Sequence, residues 1–274
     1  MIIKTLVDNN SISENFKSEH GLSVYIETKG LKILFDTGAS PLFLENAKKL
    51  GVDIANIDIL VISHGHYDHG GGIQTFLSKN QKAKVYIHPL AFEEYYSLRQ
   101  NDNLEYIGLC KSLKGNNQII FTEKKYNINN DIEIFSNVLQ KAPLPISNQT
   151  LFKKEKNQII LDTFEHEQNL VIKENDKTLL LVGCAHNGII NILSHFNSLY
   201  GYMPDYVIGG FHLSSKTSGD ESQESIENLA KYLLTTGATF YTGHCTGLGP
   251  YKILKTIMKD KVNYISAGSI LKLN

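Results

Sequence analysis

The stretch DILVISHGHYDHGGG, residues 58–72, decides how this chain is interpreted. Its first part is a continuous apolar run, which predicts a strand that is buried on both faces. His64 and His66 follow two positions apart, so in extended backbone both imidazoles point to the same side and can hold one ion. The sequence therefore predicts a metal site directly after a buried strand.

The rest of the stretch can serve a second ion. Asp68 and His69 lie past the turn and can reach an ion about 4 Å from the first, the spacing of two-metal sites. Gly65 and the three glycines at 70–72 are expected to allow tight bends and close approach of the backbone. Because imidazole and carboxylate suit zinc, iron or manganese better than calcium, we expect one or two divalent ions, with zinc before iron or manganese.

The composition disfavours several other classes of protein. The chain has 274 residues, 42% of them hydrophobic, which is enough for a full core. Its net charge is −1 and Arg99 is its only arginine, so neither nucleic acid nor an anionic membrane is expected as a partner. The three cysteines form no CxxC pair, and a disulfide scaffold is not expected. No apolar run has the length of a membrane span, and the expected location is the cytoplasm.

The first third of the chain predicts strands, short turns and helices. HGLSVYIET and LKILFDTG are β-rich runs around a turn at 29–30, as in a hairpin. In SPLFLENAKKLG, Ser40 is expected as the N-cap, Pro41 as the first helical residue and Gly51 as the stop. IQTFLS is expected to be helical, and AKVYIH to be a strand.

The middle of the chain, about residues 90–162, is weakly patterned. We expect it to be an insertion or lid on a single domain that covers residues 1–274. Within it, AFEEYYSLRQ is interpreted as a helix, and QIIFTE and DIEIFS as short strands. Tyr95, Tyr96 and Tyr106 are candidates to line a pocket for a flat ring.

Strands and helices alternate clearly again from residue 169 onward. LVIKENDKTLLLVG predicts two strands, and NGIINILSHFNSLYG predicts a helix capped by Asn187 and ended by Gly201. DYVIGG, ATFYTG and VNYISAG predict strands, while ESIENLAKYLLTTG and PYKILKTIMK predict helices. The pattern predicts a layered α/β fold in which helices cover sheets.

Four predicted strands are each followed by a histidine. These residues are His64, His186, His212 and His244. Ligands of α/β sheets bind at the carboxyl ends of the strands, where the loops converge over a rigid core. A single histidine at a strand end is usually structural, but four such placements favour a shared metal site.

The sequence HGHYDH resembles the HxHxDH signature of the metallo-β-lactamase superfamily, and LFDTG resembles the strand and turn that precede it there. The resemblance covers essentially the whole chain. It implies an αβ/βα fold, a four-layer sandwich of two mixed sheets with helices outside and the metals at one edge.

Further segments resemble one branch of that superfamily. EHGLSVYIE, GCAHNGIIN, GGFHL and GHCTG are similar to the dihydropterin-type synthases of methanopterin biosynthesis. The reaction implied by that branch joins a dihydropterin-methyl diphosphate to a ribofuranosyl-aminobenzene phosphate and releases diphosphate.

The resemblance also implies a set of ligands. His64 and His66 would bind the first ion, and Asp68, His69 and His244 the second. The third ligand of the first ion is either His166 or His186, and His186 is preferred. Where the superfamily places a bridging aspartate, this chain has Cys184, interpreted as a small buried residue at a strand end, with contact to a metal ion as the less favoured alternative.

Four residues are given other roles. The resemblance implies that Asp36 orients a ligand histidine. Asp68 is a candidate to accept the proton of the attacking water, and His212 to act as general acid or to hold the substrate oxyanion. His20, just before a strand, is a candidate to bind substrate together with His212.

The function expected from these features is that of a metal-dependent hydrolase. An ion with an open position would make hydroxide from water at neutral pH and attack an ester, amide or phosphate bond. The alternative is the pterin-type transferase, and a third class is a sensor that keeps the metal without catalysis. The expected partner is a small molecule, pterin-like or phosphorylated, while the oligomeric state is left open.

Overall fold

Two seven-stranded sheets form the centre of the molecule. The computed structural model describes residues 1–100 and 102–273. The strands in this part of the chain are, in order, β1 (Ile2–Val7), β2 (Ser23–Thr28), β3 (Leu31–Phe35), β4 (Ile59–Val61), β5 (Lys84–Ile87), β6 (Tyr95–Leu98), β7 (Leu104–Tyr106), β8 (Ile119–Phe121), β9 (Lys125–Asn127), β10 (Ile132–Ser136), β11 (Leu151–Glu155), β12 (Gln158–Leu161), β13 (Gln168–Glu174), β14 (Lys177–Leu181), β15 (Tyr206–Gly209), β16 (Ser214–Ser215), β17 (Gly219–Asp220), β18 (Thr239–Thr242), β19 (Val262–Tyr264) and β20 (Ile270–Lys272).

Both large sheets are mixed, as expected. The first has the order β20-β1-β2-β3-β4-β5-β8, antiparallel from β20 to β3 and parallel from β3 to β8. The second has the order β19-β18-β15-β14-β13-β10-β9, in which the four strands from β14 to β19 are parallel. Parallel neighbours direct their carboxyl ends to one edge, where they can position a site.

Helices cover the outer faces of the two sheets. Apolar side chains of α1 and α3 pack on the first sheet, and those of α4, α5 and α6 pack on the second. A third apolar layer lies between the sheets, so the molecule is a four-layer sandwich. The helices are α1 (Leu42–Lys49), α2 (Tyr67–Gly70), α3 (Ile73–Lys79), α4 (Ile189–Tyr200), α5 (Gln223–Thr235) and α6 (Leu248–Met258).

The strand β4 illustrates why the sequence forms these layers. Ile59 and Val61 contribute to the layer between the sheets, while Leu60 packs under the helices on the other face. Successive side chains of a strand point to opposite faces, so a strand covered on both sides needs an apolar residue at every position. The prediction of a strand buried on both faces is therefore confirmed.

Two predicted helix caps differ in detail from the structure. Helix α1 begins at Leu42 with Pro41 at the N-cap, one residue later than predicted, although the Ser40 hydroxyl still accepts a hydrogen bond from the Leu42 N–H at 3.1 Å. Helix α4 is preceded by Gly188 rather than capped by Asn187. The side-chain amide of Asn187 instead donates a hydrogen bond to the carboxylate of Glu167 at 2.8 Å. Glu167 lies in the loop that precedes β13.

The segment from 90 to 162 contributes to three sheets. Strand β8 joins the first large sheet, and β9 and β10 join the second. The others form a four-stranded sheet of order β12-β11-β6-β7. The prediction of a helix in AFEEYYSLRQ is wrong, because β6 lies there: burial alternates along Tyr95–Leu98, and adjacent tyrosines favour a pleated strand.

No helix within residues 1–100 and 102–273 combines the length and the apolar character needed to cross a bilayer.

Candidate metal centre

The strands β4, β14, β15 and β18 are followed by His64, His186, His212 and His244, as the sequence predicted. These ends from both large sheets converge at one edge of the sandwich. A pocket of about 600 Å³ opens there. Its inner wall includes His66, Asp68, Cys184, His186, His212 and His244.

The first group of possible metal donors consists of His64, Cys184 and His186. Their donor atoms lie within 4.8 Å of one another, and all three residues are buried. The Nε2 atoms of His64 and His186 face each other at 3.3 Å. His64 precedes α2 in the first sheet's loop and His186 follows β14 of the second, so this group joins the two halves of the sandwich.

The second group consists of Asp68, His69, Cys184 and His244, again with donor atoms within 4.8 Å of one another. The Nε2 atoms of His69 and His244 are 3.2 Å apart, and the Cys184 Sγ lies 3.1 Å from His69 Nε2. The Asp68 carboxylate is 3.3 Å from His244 Nε2. Cys184 thus belongs to both groups.

The buried carboxylate of Asp36 fixes the orientation of two of these rings. It accepts hydrogen bonds from the Ser63 N–H at 2.7 Å, the Ser63 hydroxyl at 2.7 Å and His69 Nδ1 at 2.6 Å. Since the Ser63 hydroxyl gives its proton to Asp36, its oxygen accepts from His64 Nδ1 at 2.8 Å. Both rings therefore carry hydrogen on Nδ1, and Nε2 is the atom directed into the site.

Two asparagines orient the other two rings in the same way. Asn148 donates to the His186 carbonyl at 2.7 Å and accepts from His186 Nδ1 at 3.1 Å. Asn9 donates to the His244 carbonyl at 3.3 Å and accepts from His244 Nδ1 at 2.9 Å. An amide that donates through its nitrogen leaves its oxygen as the acceptor, so Nε2 of each histidine is again directed inward.

The ring of His66 lies near the first group of donors but does not belong to it. Its ring centroid lies 4.6 Å from that of His64 and 5.0 Å from that of His186. Its Nε2 has no hydrogen-bond partner among the described residues and points toward Asp162, 3.9 Å away. His66 forms a separate group of possible metal donors with Asp162 and His166. It does not belong to the group formed by His64, Cys184 and His186.

His166, the alternative to His186, has both ring nitrogens engaged. Its Nδ1 accepts a hydrogen bond from the Gly65 N–H at 2.9 Å, so its proton is on Nε2, which faces Asp162 at 3.0 Å. Its ring packs against that of Tyr95 at a tilt of 38°, with centroids 4.1 Å apart. His166 is therefore held as a support for the loop that carries His64 and His66.

The charges in the site are unevenly distributed. Burial and the neighbouring histidines hold the pKa of His64 and of His186 well below the usual value, so both rings are neutral at neutral pH. Burial has the same tendency at His69, but the carboxylates Asp36 and Asp68 outweigh it and raise the pKa of this imidazole to about 9. Burial acts to raise the pKa of Asp68, yet the histidines around it, led by His69, hold it well below its usual value.

His20 and His212, both predicted to bind substrate, line the pocket. His20 is half exposed, and its Nε2 lies 3.3 Å from the Asp68 carboxylate. His212 is buried, and within residues 1–100 and 102–273 neither of its ring nitrogens has a hydrogen-bond partner. The centroids of the His212 and His186 rings are 4.2 Å apart. Both side chains can reach a molecule held at the inner wall.

The three tyrosines expected to line a pocket do not line this one. Tyr95 is buried against His166, while Tyr96 and Tyr106 pack edge to face in the four-stranded sheet. In the described part of the chain the tyrosine in the pocket wall is Tyr67. The misplacement follows from the wrong helix prediction, because a strand turns adjacent tyrosines to opposite faces.

The glycines of the opening stretch act through close contact rather than through tight left-handed bends. None of Gly65, Gly70, Gly71 and Gly72 has a positive φ, and Tyr67–Gly70 is helical. A Cβ on Gly65 would collide with the Ala91 carbonyl, and one on Gly71 with the Ala39 carbonyl. The expected close approach is confirmed, and the chain bends at 64–65 and turns at 71–72 as expected, without a left-handed residue.

Several residues of the site were not found from the sequence. Asn9, Asn148 and Glu167 are not singled out by any sequence pattern, and for Cys184 the sequence favours packing, with metal contact only as the alternative. Glu167 is fully buried and accepts hydrogen bonds from the N–H groups of His186 and Asn187, at 2.7 and 2.9 Å, which fixes the loop that carries His186. The local signal available was the position of Cys184 between a strand and His186; the asparagines act across distant segments and leave no local pattern.

Comparison with known proteins gives consistent results. A model of the metallo-beta-lactamase superfamily matches residues 19–232. A relative from Methanocaldococcus jannaschii, 7,8-dihydropterin-6-methyl-4-(beta-D-ribofuranosyl)-aminobenzene-5'-phosphate synthase, is 29% identical over 94% of this chain and 91% of its own length.

Solved structures show the same fold. Tm1679, described as a metal-dependent hydrolase of the beta-lactamase superfamily, has a TM-score of 0.84 and 31% identity, with 100% of this chain and 99% of that chain covered. Zn²⁺-bound PqqB from Methylobacterium extorquens has a TM-score of 0.59 with 100% of each chain covered, and at 12% identity it is a likeness of fold alone. Since the family model spans well over half of the sequence, this chain belongs to the metallo-β-lactamase superfamily.

Proposed function

We propose that this chain is a metal-dependent hydrolase that cleaves an ester, amide or phosphate bond of a small molecule at the inner wall of the pocket. Two divalent ions are proposed, zinc before iron or manganese. His64, His66 and His186 hold the first, and Asp68, His69 and His244 hold the second.

One observation carries this proposal. His64 Nε2 and His186 Nε2 lie 3.3 Å apart, both rings have their hydrogen on Nδ1, and burial keeps both neutral. Two lone pairs directed at each other in a buried site repel unless a cation lies beside them. The donors present therefore fit a divalent ion.

The second group supports the proposal by a different route. Its environment favours positive charge, since the pKa of His69 is raised to about 9. Without an ion, the extra proton on His69 Nε2 faces Cys184 and His244. A metal ion takes the place of this proton, and the same carboxylates, Asp36 and Asp68, then compensate its charge.

The choice between His186 and His166 leads to a direct test. Replacement of His186 by alanine is expected to remove the first ion, because its Nε2 faces the site. The matched variant His166→Ala is expected to keep both ions, because neither nitrogen of His166 is available. Elemental analysis of the two purified variants measures this. Loss of an ion from His166→Ala and full content in His186→Ala would reverse the assignment.

The chemistry supplied by such ions is Lewis acidity, together with a hydroxide nucleophile drawn from water near neutral pH. The low pKa of Asp68 makes it a weak proton acceptor, which favours its role as a ligand over the proton-accepting role. His212 has two free ring nitrogens beside His186 and is placed to donate a proton to the leaving group or to hold the developing oxyanion. His20 is placed to hold substrate from the open side.

Replacement of His212 by alanine is expected to leave the metal content unchanged and to slow turnover by about 10²-fold or more, the usual contribution of a general acid. The metal content should persist because His212 belongs to neither proposed ligand set. Steady-state kinetics and elemental analysis on one preparation measure both effects. An unchanged rate with a good substrate would remove His212 from the mechanism.

The proposal as a whole is tested with the metal-loaded protein and a panel of phosphodiesters, lactones, amides and pterin derivatives. Hydrolysis of at least one class is expected, with loss of activity on chelation and recovery when zinc is added. Hydrolysis that continues unchanged after the ions are removed would contradict the proposal, as would a loaded protein that cleaves nothing in the panel.

The second candidate is a dihydropterin-type transferase. It is favoured by the relative from Methanocaldococcus jannaschii, whose name describes the synthase. The pocket wall also holds cations and hydroxyl groups suited to phosphate, namely Lys216, Ser97, Ser215, Thr217 and Arg99, the last ion-paired with Glu105 at 2.7 Å. The two candidates are separated by whether release of diphosphate from a dihydropterin-methyl diphosphate depends on the second substrate. A transferase requires the ribofuranosyl-aminobenzene phosphate as acceptor, whereas a hydrolase needs water alone.

A further inference from the structure

Cys184 occupies the point at which the proposed metal donors meet. Its Sγ lies within 4.8 Å of the donor atoms of His64 and His186 on one side and of Asp68, His69 and His244 on the other. The side chain is buried, and the Sγ approaches His69 Nε2 to 3.1 Å. A thiol in this position has a metal donor atom on each side of it.

The backbone around Cys184 is shaped to hold the sulfur there. Gly183 is pressed so closely against Ser63 that a Cβ would collide with the serine side chain. Ala185 adopts φ = 58°, a left-handed conformation that is strained for a non-glycine residue. These two features turn Cys184 and His186 toward the same donor group. Strain at a site of convergent donors is typical of a functional arrangement.

The charge of the site also requires a second anion. Among the described residues, Asp68 is the one carboxylate in either of the two proposed ligand groups. The carboxylate of Asp36 is occupied by Ser63 and His69, and that of Asp162 faces His166. Neutral imidazoles add no negative charge, so Asp68 would be the one carboxylate bound directly to two buried divalent ions, while Asp36 would act on them only through His69.

From this geometry we propose that Cys184 binds both ions as a bridging thiolate. The inference rests on the metal centre of the proposed function and adds a ligand to it. As the ions bind, the thiol releases its proton to solvent and the sulfur lone pairs form the two metal bonds. A thiolate is a soft ligand, so the centre selects zinc, cobalt or ferrous iron over manganese and magnesium.

Cys245 is the natural control, because it is a second buried thiol in the same wall. Its Sγ accepts a hydrogen bond from the His212 N–H at 3.3 Å and lies 3.6 Å from the Cys184 carbonyl. It groups with Cys184 and His212 but with none of the other proposed ligands. Cys245 therefore positions the loops that carry Cys184 and His212.

The inference is tested by loading the reduced full chain with cobalt(II) and recording its near-ultraviolet spectrum. Sulfur bound to cobalt gives an intense ligand-to-metal charge-transfer band that nitrogen and oxygen ligands lack. We expect this band in the native chain and in Cys245→Ser, and its loss in Cys184→Ser. Cys184→Asp is expected to bind as many ions as the native chain without the band, because a carboxylate can also bridge. Thermal unfolding of each metal-free variant checks that it is folded.

The outcomes separate this inference from the proposed function. If the native chain binds cobalt by elemental analysis but shows no band, the thiolate is wrong and the metal centre stands. If the band survives in Cys184→Ser or disappears in Cys245→Ser, the wrong sulfur has been assigned. If Cys184→Asp holds fewer ions than the native chain, Cys184 does not bridge. If the native chain binds no cobalt, both the inference and the proposed function are overturned.

Discussion

Replacement of His64 and His186 together by alanine is expected to reduce the catalytic rate by about a thousandfold or more, because the Lewis acidity of a bound ion contributes several kcal/mol to a hydrolytic barrier. The two Nε2 atoms face each other at 3.3 Å and belong to the donor group that joins the two sheets. Without either ring, Cys184 is the one donor left in this group, and His66 is the one residue left of the ligand set proposed for the first ion. Rate measurements at saturating substrate and elemental analysis of the same sample test the prediction.

The matched control is His195→Ala. This histidine lies on α4, partly exposed and packed against Phe135, and belongs to none of the donor groups. It is expected to keep both its ions and its rate. A double variant that retains the native rate would show that the ion in question takes no part in catalysis.

Replacement of Asp36 by alanine is expected to lower the free energy of unfolding by about 3–5 kcal/mol and to weaken metal binding by about 10–100-fold. The carboxylate is fully buried and accepts hydrogen bonds from the Ser63 N–H, the Ser63 hydroxyl and His69 Nδ1. Its removal leaves these donors unpaired, at a cost of about 1–3 kcal/mol each, and frees the rings of His64 and His69 to turn. Urea unfolding of the metal-free protein and a metal-binding titration measure the two effects.

The control for this substitution is Asp176→Ala. Asp176 is exposed in the turn between β13 and β14, so its replacement is expected to change stability by less than about 0.5 kcal/mol. Equal stability losses in the two variants would contradict the role assigned to Asp36, and so would unchanged metal affinity in Asp36→Ala.

The parts of the molecule that could be predicted from sequence are those with a strong local pattern. The apolar run before His64 has a residue for each face of β4, and the histidines that follow β14, β15 and β18 mark the same edge. Each prediction needed only a short window and the rule that parallel strands end together. The resemblance of HGHYDH to a known family signature then fixed the order of layers, which composition alone does not determine.

The parts that could not be predicted depend on contacts between distant segments. Asn148 lies in a single turn of 3-10 helix, Ile146–Thr150, and meets His186 from 38 positions away, while Asn9 meets His244 from 235 positions away. Nothing local distinguishes them from surface asparagines. For Cys184 the sequence favours packing over metal contact because small buried thiols usually pack, and its shared position between two donor groups emerges only when β4, β14 and β18 are assembled.

The error in the segment from 90 to 162 has a different origin. The spacing of apolar residues in AFEEYYSLRQ is compatible with one turn of helix, and a short window cannot exclude a strand. The segment is a strand because it pairs with two others: Tyr96 lies opposite Phe152 of β11 and Tyr106 of β7. No local pattern in the sequence reveals these partners. Tertiary pairing thus outweighed the helical spacing.

The central claim is that imidazoles from both halves of the sandwich hold divalent ions, and the most direct measurement is the metal content of the purified native chain. Elemental analysis after expression with added zinc is predicted to give about two ions per chain, the number expected for a two-metal site. A native chain that retains no ion under these conditions would contradict the claim and the chemistry derived from it.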